Sequence, residues 1–215
     1  MSERPEIESY TNDDFKLGLT AEFKRLQEKY PEMVKDVLEV IEDNRLSVMY
    51  QPVRLHEISV ELFSRLNSYA YKVTLPGQEK LFVKIDAYSD PNRARGYEEL
   101  TASGEAARLL KDLPNVRVIR YILGYEDSKR SFFVSRWENL TPLKTYMRDV
   151  RYKEGGFAKW AKLDKQYMDI QARLVTFFDV HKSNMFYDED TDEIVLFDLG
   201  RIKGGEGQLN PNIFP

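Results

Sequence analysis

The stretch "VTFFDVHKSNMFYDEDTDEIVLFDLG", residues 175–200, decides how the chain is read, because polar residues interrupt runs that otherwise have the pattern of buried strands. "NMFYD" and "EIVLFD" flank the turn-rich "EDTDE", so they predict a short hairpin. Asn184 precedes the first strand and Asp198 ends the second, fourteen residues later, so a hairpin brings the two together. Asp179 lies five residues before Asn184 on the loop that leads in. Amide and carboxylate oxygens are suitable hard ligands for Mg²⁺, and a further carboxylate that is not a ligand can orient a hydroxyl. Taken alone, Asp179 also fits a loop cap, Asn184 a turn former and Asp198 a strand end. "DEDTDE" lacks the glycine and the terminal glutamate spacing of a calcium loop and reads as a solvated turn.

Working outward, "ISVELFS", "YAYKVTL" and "KLFVKID" alternate with period two, and "PGQE" supplies a turn between the last pair. They predict a three-stranded antiparallel meander. "DPNRARGYEELTASGEAARLLKDL" is helical in its second half, with Gly96 and Gly104 weakening the pattern. "VRVIRYILGYE" and "RSFFVSRWE" follow as two more strands, then "LTPLKTYMRDV" and "FAKWAKLDKQYMDIQARLVTFF" as helices. Lys84 sits among apolar neighbours in "LFVKID", where a buried ammonium needs an anion or carboxylate. Two helices are predicted nearer the N-terminus. "TNDDFKLGLTAEFKRLQEKY" places Phe15, Leu19, Phe23 and Leu26 on one face behind capping candidates Asn12, Asp13 and Asp14, and "PEMVKDVLEVIEDN" does so with Val34, Val37, Leu38 and Ile41. Such stripes must be covered, and packing against the rest of the chain is expected.

Composition bounds the possibilities. With 215 residues, 42% of them hydrophobic, the chain can bury one sizeable core or two small lobes. It has no cysteine, which removes disulfides and thiolate metal sites; with His56 and His181 the only histidines, zinc is implausible too. No apolar run approaches the roughly 20 residues of a membrane helix, so no membrane partner is expected and a cytoplasmic location is. Residues 1–50 carry 7 Lys and Arg against 12 Asp and Glu, and the remainder lacks the basic excess that nucleic acid favours.

In order and spacing these pieces resemble the protein-kinase-like fold: the strand Lys84 in "FVKI", Glu105 in "SGEAARLL", Asp179 to Asn184 in "DVHKSN", and Asp198 to Gly200 in "FDLG". The catalytic-loop stretch is most similar to the early serine/threonine protein kinases of tailed phages, and His181 is shared with aminoglycoside and choline kinases. The resemblance implies an α+β, minimal kinase-like fold, with a five-stranded antiparallel N-lobe carrying one helix and a reduced, mainly helical C-lobe. The segments expected are an acidic helical extension at 1–50, an N-lobe at 51–137 and a C-lobe at 138–215.

What the resemblance implies chemically is transfer of the ATP γ-phosphoryl group to a hydroxyl. Lys84 would hold the phosphates and be positioned by Glu105, with Glu98 and Glu99 as rivals in the same helix. Asn184 and Asp198 would hold Mg²⁺, Asp179 would orient the acceptor, and the backbone of Glu138 and Asn139 in "RWEN" would meet adenine. No glycine lies between residues 54 and 76, so Ser64, Asn67 and Ser68 would stand in for the glycine-rich loop. Seventeen residues follow Asp198, with no Ser, Thr or Tyr, so activation by phosphorylation there is not expected and helical support is reduced. The acceptor expected is a protein hydroxyl in the host cytoplasm of a phage, with a small-molecule acceptor or a non-catalytic binding protein as the alternatives.

Overall fold

The computed structural model describes residues 7–11, 15–33, 35–37, 39, 52–55, 57–64, 68–86, 96–127, 131–177 and 180–199. In chain order the strands are β1 (Ile7–Thr11), β2 (Phe15–Thr20), β3 (Val53–Leu55), β4 (Ile58–Ser64), β5 (Ser68–Thr74), β6 (Lys80–Asp86), β7 (Val116–Val118), β8 (Tyr121–Asp127), β9 (Ser131–Arg136), β10 (Thr141–Pro142), β11 (Met185–Asp188) and β12 (Glu193–Leu196). The α-helices are α1 (Ala21–Lys29), α2 (Gly96–Leu110), α3 (Leu143–Arg151) and α4 (Gly156–Arg173). The chain divides into two compact units, Met1–Leu100 with Arg120–Glu138, and Thr101–Ile119 with Asn139–Pro215.

The first unit is built on an antiparallel sheet of eight strands in the order β1-β2-β8-β9-β6-β5-β4-β3. The mixed α+β class holds, but the strand count differs from the expected five. The five expected strands form the run β8-β9-β6-β5-β4, and the sheet continues beyond them at both ends. At one end β3 pairs with β4; at the other, Phe15–Thr20 is a strand, not the start of a helix, and pairs with β8 from Phe15↔Asp127 to Leu19↔Leu123.

Thr20 makes the change from strand to helix. Its buried hydroxyl donates to the Ile122 carbonyl at 3.2 Å and accepts from the Phe23 N–H at 3.4 Å, serving as the N-cap of α1. The spacing Phe15, Leu19, Phe23, Leu26 therefore imitates one helical stripe while belonging to two elements. Phe23 and Leu26 reach the core formed by Val60, Val73, Leu81, Val83 and Val134, and each such side chain contributes roughly 1.5–3 kcal/mol by burial. Met33 and Val37 join the same core. Asn12, Asp13, Asp14, Val34, Leu38 and Ile41 lie outside the described residues.

"VRVIRYILGYE", expected as one strand, is two. Val116–Val118 leaves the large sheet and pairs in parallel with β12, in a four-stranded sheet of order β10-β11-β12-β7 that belongs to the second unit. There Leu143, Met147 and Val150 form a buried stripe on α3 and Leu163 and Ile170 one on α4, and Leu143, Met147, Leu163 and Ile170 pack in one core with Met185, Tyr187, Ile194 and Leu196 of the hairpin. Arg117 ties β7 to the hairpin, donating from Nη2 to Asp188 and from Nε to Glu193, both at 2.9 Å.

The turn of that hairpin is a charge-assisted structure. Asp188 Oδ1 accepts the N–H groups of Asp190 and Thr191 at 3.1 and 3.3 Å, and Asp192, at φ 58°, is met by Lys162 at 3.2 Å and Lys159 at 3.3 Å. The Tyr187 hydroxyl donates to Asp192, and with the two lysines it holds the Asp192 carboxyl down at a pKa of about 2. A carboxyl lowered in the folded state stabilises the fold above its ordinary pKa and loses that contribution as pH falls toward the folded value. Asp192→Asn is therefore expected to lower the urea midpoint at pH 7, with the gap from the parent closing between about pH 4 and pH 2; a gap that persists unchanged at pH 2 would contradict this account.

Candidate functional site

The sequence-predicted residues fall into two groups, one in each unit. In the first, Lys84 lies on β6, paired with Ala70 of β5 on one side and Phe133 of β9 on the other. Its side chain is 10% exposed, and its Nζ stands 5.1 Å from the Phe133 ring centroid. The carboxylate that meets it is Glu99, whose Oε1 is 3.1 Å from Nζ and whose side chain is 1% exposed.

Backbone approach explains why Glu99 has that place. α2 begins at Gly96, directly against the sheet: a Cβ on Gly96 would stand 2.0 Å from the Phe132 carbonyl oxygen, and one on Gly124 would stand 2.3 Å from the Gly96 carbonyl oxygen. Gly124 is paired with Gly18 on β2, where a Cβ would meet Leu100 at 2.5 Å. Glycine alone permits such close packing of a helix start on a strand. The Gly96 N–H, one of the donors that a helix start leaves without an intrahelical partner, is taken by Ser131 Oγ at 2.7 Å. One turn further, Glu99 is delivered to Lys84.

Glu105, the expected partner of Lys84, is engaged elsewhere. Arg108, three residues on along the helix, donates to it from Nε at 2.9 Å and from Nη2 at 2.5 Å, and it belongs to the second unit. The usable signal was Gly96 itself, since a glycine at a helix start marks where the helix comes closest to its support.

In the second unit the hairpin does what its spacing predicts. Met185 pairs with Leu196, so Asn184 and Asp198 meet at the open end. A 3-10 turn over Lys182–Asn184 precedes β11, with the Asn184 N–H bonded to the His181 carbonyl at 2.9 Å and the Phe197 N–H to the Asn184 carbonyl at 2.8 Å. Asn184 Nδ2 donates to the Asp198 carbonyl at 2.9 Å. Asp198 has φ 53°, a left-handed conformation that Asn and Asp adopt more readily than other side chains. His181 caps the turn, while Lys182 pairs with Asp164 at 2.6 Å above the Tyr167 ring, so neither is needed to explain more than local structure.

The oxygen chemistry fits Mg²⁺. Among the described residues no cluster of three or more His, Cys, Asp or Glu forms a protein-only metal site. Asn184 and Asp198 supply an amide oxygen and a carboxylate, the small protein share typical of a magnesium that also takes phosphate oxygens and water. Asp179 and Asn67 lie outside the described residues, as do the side chains of Ser64 and Ser68, whose backbones close β4 and open β5 beside an irregularity between Leu62 and Ser64. Glu138 and Asn139 are in the segment without regular structure after β9, where the Trp137 N–H bonds the Lys80 carbonyl at 3.0 Å. No helix among the described residues is long and apolar enough to cross a membrane.

No protein-family model matches the chain, and no curated protein does. Among solved structures it is similar to the PknI kinase domain of Mycobacterium tuberculosis, at 14% identity and a TM-score of 0.38, over 68% of this chain and 61% of that one. A singly substituted form of that domain aligns at 14% identity and TM-score 0.40, over 68% and 60%. A doubly substituted form aligns at 16% and 0.43, over 68% and 60%. The chain spans less than two thirds of the length of the kinase domains that it matches.

If the approach of Gly96 to the Phe132 carbonyl positions Glu99, Gly96→Ala will destabilise the protein by at least the roughly 1–3 kcal/mol of an overpacked site. Gly104→Ala, at an exposed position of the same helix, should instead add about 0.5–1 kcal/mol. Urea midpoints for the two variants check this; shifts of the same sign would contradict it.

Proposed function

We propose that the chain is an ATP-dependent phosphotransferase of the protein-kinase-like kind, which passes the γ-phosphoryl group to the hydroxyl of a Ser or Thr side chain. The observation that carries this reading is the buried Lys84–Glu99 ion pair on the third of five consecutive strands, β8-β9-β6-β5-β4. Withdrawing two charges from water costs several kcal/mol per ion, and apolar residues of similar volume serve stability as well or better. A pair kept in such a place suits a task that needs a fixed cation. An ammonium is a compact cation with N–H donors only, and phosphate oxygens are acceptors that match it.

In this reading Lys84 binds the α- and β-phosphates and Glu99, in the role first given to Glu105, holds its direction. Ser64, Asn67 and Ser68 would supply donors to the phosphates, and the backbone of Glu138 and Asn139 would meet the adenine. Asn184 and Asp198 would hold Mg²⁺, which would offset negative charge on the phosphates. Asp179 accepts a hydrogen bond from the acceptor hydroxyl, orients its oxygen toward the γ-phosphorus and takes the proton as the new P–O bond forms and the bond to the β-phosphate oxygen breaks. Positioning and electrostatics supply the catalysis.

ATP is expected to raise the melting temperature far more with Mg²⁺ than in EDTA. Asp198→Asn, which keeps a residue tolerant of positive φ, should remove most of the Mg²⁺-dependent part; equal shifts with and without the metal would count against the site.

Turnover separates the roles. With labelled ATP and host-cell lysate, Lys84→Met should abolish transfer, and Asp179→Asn should lower it by about a hundredfold or more while nucleotide binding persists. A metabolite panel run in parallel distinguishes a protein acceptor from a small molecule. Transfer by Asp179→Asn at the parent rate would remove that residue from the mechanism.

A further inference from the structure

A second charged site lies within the first unit, apart from Lys84. A cavity of about 280 Å³ is lined by Glu22, Arg25 and Lys29 of α1, Glu79 of the turn before β6, Arg120 at the start of β8, and Arg136 at the end of β9. Four cations thus surround two carboxylates. The carboxylates are shared unevenly: Arg136 donates from Nε to Glu22 at 2.7 Å and from Nη1 to Glu79 at 3.0 Å, and Lys29 takes the other oxygen of Glu79. Arg120 comes no nearer than 3.8 Å to Glu22, beyond hydrogen-bond reach, and Arg25 has no carboxylate partner among the described residues. Two guanidinium groups therefore have unspent forks at a cavity with two positive charges in excess.

The frame beneath them is rigid. α1 is fixed in the core through Phe23 and Leu26, which are 2% and 3% exposed, and the Tyr30 hydroxyl bonds the Pro76 carbonyl just past its end. Glu22, Arg25 and Lys29 are spaced to lie along one side of the helix. A solvated face of mobile charges would lack both the concavity and the strand-end anchor that Arg136 supplies.

We propose that this cavity binds a dianionic oxyanion of the phosphate class, either inorganic phosphate or a small phosphomonoester, held by the guanidinium groups of Arg25 and Arg120 with Arg136 and Lys29 behind them. Guanidinium forks match the oxygen spacing of a tetrahedral oxyanion, a fit that an ammonium cannot make. The excess of two positive charges matches the charge of the ligand. A cavity of this size holds the phosphate with a substituent of amino-acid dimensions.

The test is calorimetric titration of the full chain with orthophosphate and, separately, with O-phosphoserine, the ionic strength being held constant with NaCl. Saturable one-site binding is expected, tighter for O-phosphoserine if the phosphomonoester is the ligand and equal if the phosphate group alone is read. Arg25→Ala combined with Arg120→Ala should weaken it by about tenfold or more, as loss of charge-assisted hydrogen bonds requires. Arg25→Lys with Arg120→Lys keeps the charge and the fold and should still weaken binding. Lys84→Met should leave it intact, which separates this site from the proposed nucleotide site. No saturable binding, undiminished binding in the double variants, or loss in Lys84→Met would each overturn the proposal.

Discussion

Gly96 and Gly124 bring the start of α2 into backbone contact with β8 and β9, and the buried Lys84–Glu99 pair depends on that approach. No side chain larger than hydrogen fits between them. Ser131 accepts the Gly96 N–H, which satisfies the first donor of the helix start. Glu99 then has no freedom to choose its partner: one turn along a helix so fixed, its carboxylate meets Lys84 at 3.1 Å. Removing one member of such a buried pair strands a charge, at a cost of about 3–5 kcal/mol. The glycines therefore act on the lysine through the backbone, by fixing where Glu99 stands.

The second unit reaches its geometry by a different route. There, the two-residue period of a hairpin sets which residues meet, and the Asp188–Asp192 turn, gripped by Arg117, Lys159 and Lys162, keeps that register. The Asn184 amide is oriented by giving its nitrogen to the Asp198 carbonyl, which directs the carbonyl end of the same amide the other way. Asp198 leaves the strand in a left-handed turn, so its side chain departs from the alternation of β12. Hydrogen bonding and backbone conformation thus constrain both residues at the open end of the hairpin.

These two routes differ in how well a sequence displays them. Period-two alternation is local, so β4, β5, β6, β9 and the β11–β12 hairpin were legible, and with them Lys84, Asn184 and Asp198. The partner of Lys84 was not, because backbone proximity leaves no trace in a hydrophobic pattern; Gly96 reads as a helix weakness until its neighbours are known. Phe15, Leu19, Phe23 and Leu26 were misread for a related reason. A strand with buried Leu19 followed by a helix with buried Phe23 and Leu26 reproduces helical spacing, and only the cap at Thr20 marks the join. Likewise "VRVIRYIL" carries one continuous apolar pattern, yet its halves belong to different sheets because the parallel partner of Val116–Val118 lies near the end of the chain.

Addition of β2 to β8 does more than lengthen a sheet. An exposed β8 would present a row of unpaired backbone groups, and strand addition covers it. The same addition supplies Gly18 opposite Gly124, so the surface on which α2 lands is made jointly by the N-terminal segment and the five-stranded run. Leu100, one residue after Glu99, packs into the room that Gly18 leaves. A segment that first reads as an acidic extension thereby becomes part of the support for the buried ion pair. Its charged side, at Glu22, Arg25 and Lys29, is held at a fixed distance from strand ends by the core packing of Phe23 and Leu26. One helix thus completes a hydrophobic core with one side and lines a polar cavity with the other, so the position of those charges is set by apolar burial and not by the ion pairs among them.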